Sequence, residues 1–97
     1  MSKKVNEKEF RSEVLTSKEL VLVDFYADWC GPCRMLGPIL DTLEDYKVYK
    51  INVDEEPTLA QEYGVMSIPC VVFIKDGKET NRFVGLHSKS EILDMLK

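Results

Sequence analysis

Val21-Leu22-Val23-Asp24-Phe25-Tyr26-Ala27-Asp28-Trp29-Cys30-Gly31-Pro32-Cys33 is the stretch on which the reading of this chain turns. It opens as a near-continuous apolar run with β-branched and aromatic members, the pattern of a central strand covered on both faces. It closes on two cysteines that frame Gly31-Pro32, at the point where a helical pattern takes over. Two cysteines three positions apart can close a disulfide without help from the rest of the fold. At a strand-to-helix junction, the helix N-terminus favours a thiolate. That is what thiol–disulfide exchange needs.

Beyond Cys33, Leu36, Ile39, Leu40 and Leu43 recur at the spacing of an amphipathic helix, with Pro38 inside it and expected to kink it. Lys47 to Val53 alternates as a strand. Glu55-Glu56-Pro57 places acids and a proline where a short helix over Leu59 to Tyr63 begins, and Gly64 ends it. Cys70 to Ile74 reads as a strand, Lys75-Asp76-Gly77-Lys78 as a hairpin turn, and Glu79 to Val84 as the returning strand. Ser88 with Glu91 caps a last helix whose Ile92, Leu93 and Leu96 face inward. Towards the N-terminus, Asn6 with Glu9 has the form of a helix-start cap. Phe10 and Val14 share a face of that helix, which is expected to end near Thr16 or Ser17, and residues 1 to 5 suit a short edge strand. The order is β-α-β-α-β-α-β-β-α. The middle β-α-β unit requires a parallel pair and the last two strands an antiparallel hairpin. The class is α/β, with a mixed sheet between helices.

The chain has 97 residues, which sets one domain, 1–97, as the expectation. Its net charge of −4 and lack of a basic stripe argue against nucleic acid or an anionic membrane as partner. No apolar run reaches membrane-spanning length, and the start Met1-Ser2-Lys3-Lys4 has no apolar stretch behind it. A soluble intracellular protein is expected. Three cysteines do not make the disulfide framework of a secreted miniprotein.

Cys30, at the mouth of the helix and expected to be exposed beside Trp29, is read as the attacking nucleophile. Cys33, one turn further in and expected to be less exposed, is read as the resolving thiol. Gly31 allows close backbone approach and Pro32 stiffens the turn. Half a zinc site and two structural thiols are the alternatives, but only Cys70 and His87 could complete a zinc site, and no metal is expected. Asp24 interrupts an apolar strand six residues before Cys30. Buried there it should have a raised pKa. It is either a proton acceptor and donor for Cys33 or a carboxylate satisfied by backbone or by Lys50. Lys50 is in turn either its charge partner or an ordinary solvated lysine. Cys70 is either a small core thiol or a third redox-active sulfur. Trp29 suits a substrate-facing surface, and His87 is read as a lone surface residue. Ile68-Pro69 precedes a strand, and composition does not decide whether its bond is cis.

Over essentially its whole length the chain resembles the thioredoxin family. The resemblance is carried by Val23 to Cys33, then Pro38, Lys50-Ile51-Asn52-Val53-Asp54, Ile68-Pro69 and Phe83-Val84-Gly85. It implies the thioredoxin fold and a general protein-disulfide reductase and electron carrier. Such a protein binds no cofactor of its own and draws electrons from NADPH through a separate flavoprotein, thioredoxin reductase. It implies Cys30 as nucleophile, Cys33 as resolving cysteine, Asp24 as the buried carboxylate that handles the Cys33 proton, and Pro69 as a cis-proline facing the disulfide. Trp29, Gly31, Pro32, Ile68, Pro69 and Gly85 resemble a shallow groove that holds a substrate protein as an extended strand. Its partners would be the reductase and disulfide-containing proteins. A cytoplasmic monomer is the simplest form. The chain departs from the family at Cys70, where threonine is common, and it reads as short for the family. A binding module on the same fold, an oxidase or isomerase, and a metal site are the alternatives. The Gly31-Pro32 pair resembles the reducing members.

Overall fold

The computed structural model describes residues 2–97. Strand β2, Val21–Tyr26, is the centre of the molecule because every residue from Val21 to Phe25 is buried, Asp24 included. Around it run β1 (Ser2–Lys4), β3 (Lys47–Asn52), β4 (Cys70–Lys75) and β5 (Lys78–Val84), in the spatial order β1-β3-β2-β4-β5. β3 is parallel to both β1 and β2, with Asp24 opposite Lys50. β4 is antiparallel to β2, with Phe25 opposite Cys70, and antiparallel to β5. This is the mixed sheet expected from the element order.

The β4–β5 turn carries two left-handed residues, Asp76 at φ 52° and Gly77 at φ 77°. That is the geometry an Asp-Gly hairpin requires. Beyond it Ile74 faces Glu79 while Phe73 faces Asn81, so Thr80 is the extra residue of a bulge.

Alternation along the strands divides the interior in two. On one side Phe10, Val14 and Leu59 cover Val23, Phe25, Ile51 and Cys70. They come from α1, which starts at Glu7–Glu9 and continues through Phe10–Val14, and from α3, Pro57–Glu62. On the other side Leu36, Leu40 and Ile92 cover Leu22, Val48, Val71 and Phe73. These belong to α2, Gly31–Asp41, and α4, Lys89–Met95.

Both capping boxes are formed, Asn6 with Glu9 and Ser88 with Glu91. α2 continues on both sides of Pro38. Two local readings need correction. α1 widens after its first turn, Leu15 N–H reaching back to the Phe10 carbonyl at 3.1 Å, so its last turn is π-helical. No sequence pattern announces that widening. In α4 only Ile92 is fully buried; Leu93 is 37% exposed, because a helix this short turns one narrow stripe to the core.

Candidate active site

β2 ends at Tyr26, and Ala27 to Trp29 lead directly into α2. Cys30 is the N-cap of that helix in an extended conformation, φ −89° and ψ 111°. Its Sγ is bonded to the Sγ of Cys33, with the Cα atoms 5.2 Å apart, within the span a disulfide bridges. The Cys30 Sγ also accepts the Cys33 backbone N–H at 3.2 Å, one of the amides a helix leaves unpaired at its start. The site is thus held as the oxidised product of exchange.

Sequence reasoning expected Cys30 to be exposed and Cys33 shielded. In the disulfide form both are only 4% exposed. At the N-cap of α2, Cys30 clusters with Ala27 and Cys33, and Tyr26, Val53 and Ile68 pack against that cluster. What stands in solvent is Trp29, 68% exposed. Its indole Nε1–H donates to Asp54 Oδ2 at 2.9 Å. Asp54 is held in turn by Asn52, whose Oδ1 accepts the backbone N–H of Asp54 at 2.9 Å and of Glu55 at 3.3 Å. Sequence reasoning assigned Asn52 and Asp54 no role. The available signal was the Asn-x-Asp spacing after a strand, which favours an Asx turn.

Of the other residues expected to line a groove, Ile68 packs against the Ala27–Cys30–Cys33 cluster. The Ile68-Pro69 bond is cis. The Pro69 carbonyl accepts the Gly85 N–H at 2.8 Å, which ties the end of β5 to the start of β4. Gly85 is at φ 89°, a conformation glycine adopts freely, with open space where a Cβ would stand. Gly31 likewise has open space beside it, and Pro32 is exposed.

Asp24 is fully buried, and neither carboxylate oxygen has a hydrogen-bond partner. Burial raises its pKa from 3.8 to about 7, with the Lys50 charge pulling it down and the Asp41 charge pushing it up. Lys50 lies opposite it in register yet is not bonded to it. Its ammonium instead lies 4.4 Å from the centre of the Tyr26 ring. Tyr26, Ala27, Asp28, Cys33, Arg34 and Lys50 line a cavity of ≈ 140 Å³, room for a few water molecules at ~30 Å³ each. The chain therefore brings Cys33 and Lys50 to one cavity, with Asp24 two residues along β2 from its Tyr26 wall.

Of the outlying residues, Cys70 agrees with its reading as a small core thiol, and the reading of His87 as a surface residue changes. Cys70 is 1% exposed and sits in the α1/α3 core, not in the cluster around the disulfide. Burial pushes its thiol pKa up, and the Arg82 guanidinium 3.9 Å away opposes this only in part. His87 is half-buried against Phe83, ring centres 4.8 Å apart, with Nδ1 3.2 Å from the Gly85 carbonyl oxygen. The turn at Gly85 lays it there. Cys70 and His87 thus lie on different cores. Among the described residues no group of three or more His, Cys, Asp or Glu is placed to hold a metal ion.

The family model "Thioredoxin" matches residues 1–97. The chain is 43% identical to thioredoxin of Rickettsia felis over 99% of its own length and 96% of that protein. It is 44% identical to thioredoxin of Chlamydia caviae, with the same coverage of both chains. Among solved structures, a mutant thioredoxin from Halobacterium salinarum NRC-1 superposes with a TM-score of 0.89 at 40% identity, covering 97% of this chain and 86% of that one. The chain belongs to the thioredoxin family of protein-disulfide reductases, which work by dithiol–disulfide exchange without a bound cofactor and are recharged by a separate thioredoxin reductase.

Proposed function

We propose that Cys30 is the nucleophile of this exchange, Cys33 the resolving thiol, and Asp24 the group that takes the Cys33 proton. In the reduced protein the Cys30 thiolate attacks one sulfur of a substrate disulfide, and the other leaves as a thiolate. Cys33 gives up its proton, attacks Cys30 and releases the second substrate thiol. Two electrons pass to the substrate, and the Cys30–Cys33 bond seen in the structure is the product. The single observation that carries the assignment of Asp24 is its unpartnered, fully buried carboxylate on the strand that delivers Cys30. A pKa of about 7 lets it change charge near neutral pH. Lys50 tunes that carboxylate electrostatically. Trp29, Gly31, Pro32, Ile68, Pro69 and Gly85 form the surface that receives the substrate, supported by the exposure of Trp29 and the open space at both glycines.

The same reading takes residues 1–97 as one domain working as a cytoplasmic monomer, apart from membranes and nucleic acid. A Cα radius of gyration of 12.1 Å agrees with one compact unit. Among the described residues no helix is long and apolar enough to cross a membrane.

The test is NADPH-coupled reduction of insulin with thioredoxin reductase, comparing the natural chain with Cys33→Ser. The expected result is turnover in the first and a mixed disulfide accumulating on Cys30 in the second. Accumulation on Cys70 instead would overturn the assignment. Failure of chemically reduced protein to reduce insulin would favour a binding role for the fold.

A further inference from the structure

We propose that Tyr26 is a positioning residue of the exchange site, its ring holding the Lys50 ammonium away from the Asp24 carboxylate so that the carboxylate stays unpaired. This deepens the proton-transfer reading of Asp24 and rests on it for its functional consequence, though not for its structural one.

Asp24 and Lys50 are register partners on adjacent parallel strands, whose backbones run only ~4.8 Å apart. Leu22 and Val48, the register pair two residues earlier, belong to the core under α2. By strand alternation Asp24, Tyr26 and Lys50 face α2 as well. A lysine so placed has a buried carboxylate as its nearest strong partner, and direct pairing would be the expected outcome. It does not occur: both Asp24 oxygens are unbonded. Lys50 leans instead along the strand direction to the Tyr26 ring, 4.4 Å from its centre, inside the ~6 Å range of a cation–π contact. α2 also approaches it at Gly37, where a Cβ would lie 3.8 Å from the Lys50 Nζ. Ring and helix thus both lie beside the ammonium at the wall of the cavity it shares with Cys33.

The charges around this arrangement are few. Asp24 is faced by Lys50 from β3 and Asp41 from α2, while the Cys70 thiol of β4 lies on the opposite face of the sheet. Tyr26 is faced by Lys4 from β1 and by Asp28 and Glu55 from the adjoining loops. None of these is hydrogen-bonded to Asp24, so Lys50 is the cation whose placement decides whether Asp24 is paired.

The experiment follows the Asp24 side-chain carboxyl by carbon NMR through a pH titration of the oxidised protein, in which neither active-site cysteine titrates. Tyr26→Leu removes the ring. Its expected effect is a fall of the Asp24 midpoint by about one pH unit or more, as an opposite charge at close range imposes. Tyr26→Phe and Tyr26→Trp keep a ring and should keep the midpoint. In a Lys50→Met background Tyr26→Leu should change nothing, since the cation is gone. A fall that persists without Lys50 would mean water entry and would overturn the inference, as would an unchanged midpoint in Tyr26→Leu alone. Should Tyr26→Leu not fold, the natural chain supplies the test: the Lys50 ε-methylene protons should be shifted upfield by the ring, and ordinary lysine shifts would refute the placement. The acid limb of insulin reduction separates the two readings. If it moves with the midpoint, both stand. If the midpoint moves alone, Tyr26 positions Lys50 as inferred and Asp24 is not the proton acceptor.

Discussion

Replacing Asp24 with asparagine should stabilise the oxidised protein, and by an amount that grows with pH. Asparagine has the same shape and stays neutral. It therefore reproduces the protonated carboxyl and removes only the ionisation. The folded-state pKa is raised by burial from 3.8 to about 7. Below the lower value both folded and unfolded chains hold the proton, and the natural chain and the variant should be alike. As pH rises from there, the unfolded chain releases its proton first and gains relative to the folded one. Above the folded pKa the penalty is complete. At ~1.4 kcal/mol per pH unit, the interval corresponds to about 4 kcal/mol. Because Asp24 is fully buried, water does not screen that amount. The assay is urea unfolding followed by far-ultraviolet circular dichroism at several pH values, disulfide intact. Unchanged denaturant slopes would show that the same surface is exposed on unfolding. A stability difference that stays flat with pH would refute the reasoning, since Asp24 would then ionise in the folded protein as it does in the unfolded chain.

Cys70 should resist iodoacetamide in the native protein and react once unfolded, as read by mass spectrometry; native labelling would contradict its burial. Gly77→Ala should cost about 2 kcal/mol or more in denaturant melts, because a left-handed residue there also brings its Cβ within 2.8 Å of the Leu15 carbonyl oxygen. Gly64→Ala, left-handed at φ 62° but in open space, should cost less, about 1 kcal/mol. Asn6→Ala removes one capping box and should lower stability by about 1 kcal/mol in the same assay.

The fold was legible wherever period and punctuation agreed. The apolar run at Val21 to Phe25, the Asp76-Gly77 turn and the two capping boxes each point to one local structure, and each is present. Asp24 was legible as an anomaly, a carboxylate in a buried strand where leaving it charged and unpaired is costly. What the sequence could not carry was the direction of side chains and the state of the thiols. Alternation puts Cys70 with Val72 and Ile74 but does not say which helices cover that face. Cys30, bonded to Cys33, is buried where an exposed thiol was expected. Whether Lys50 meets Asp24 or Tyr26 is a choice between rotamers of one long side chain. His87 meets Phe83 only because the chain turns at Gly85.

The two margins of the sheet bear on how such a molecule lives in a crowded solution. A surface that offers an indole and open glycines to passing chains would aggregate readily if the sheet also presented bare, pairing-competent borders. It does not. At one border β1 is three residues long and its lysines are tied to Glu13 and Glu55. At the other, β5 carries Lys78, Glu79, Asn81 and Arg82 and is bent by its extra residue. Short, charged and bulged strands are poor templates for another β-strand. Strand-to-strand association is thereby disfavoured at both margins, and a contact made beside the disulfide can end in chemistry and release.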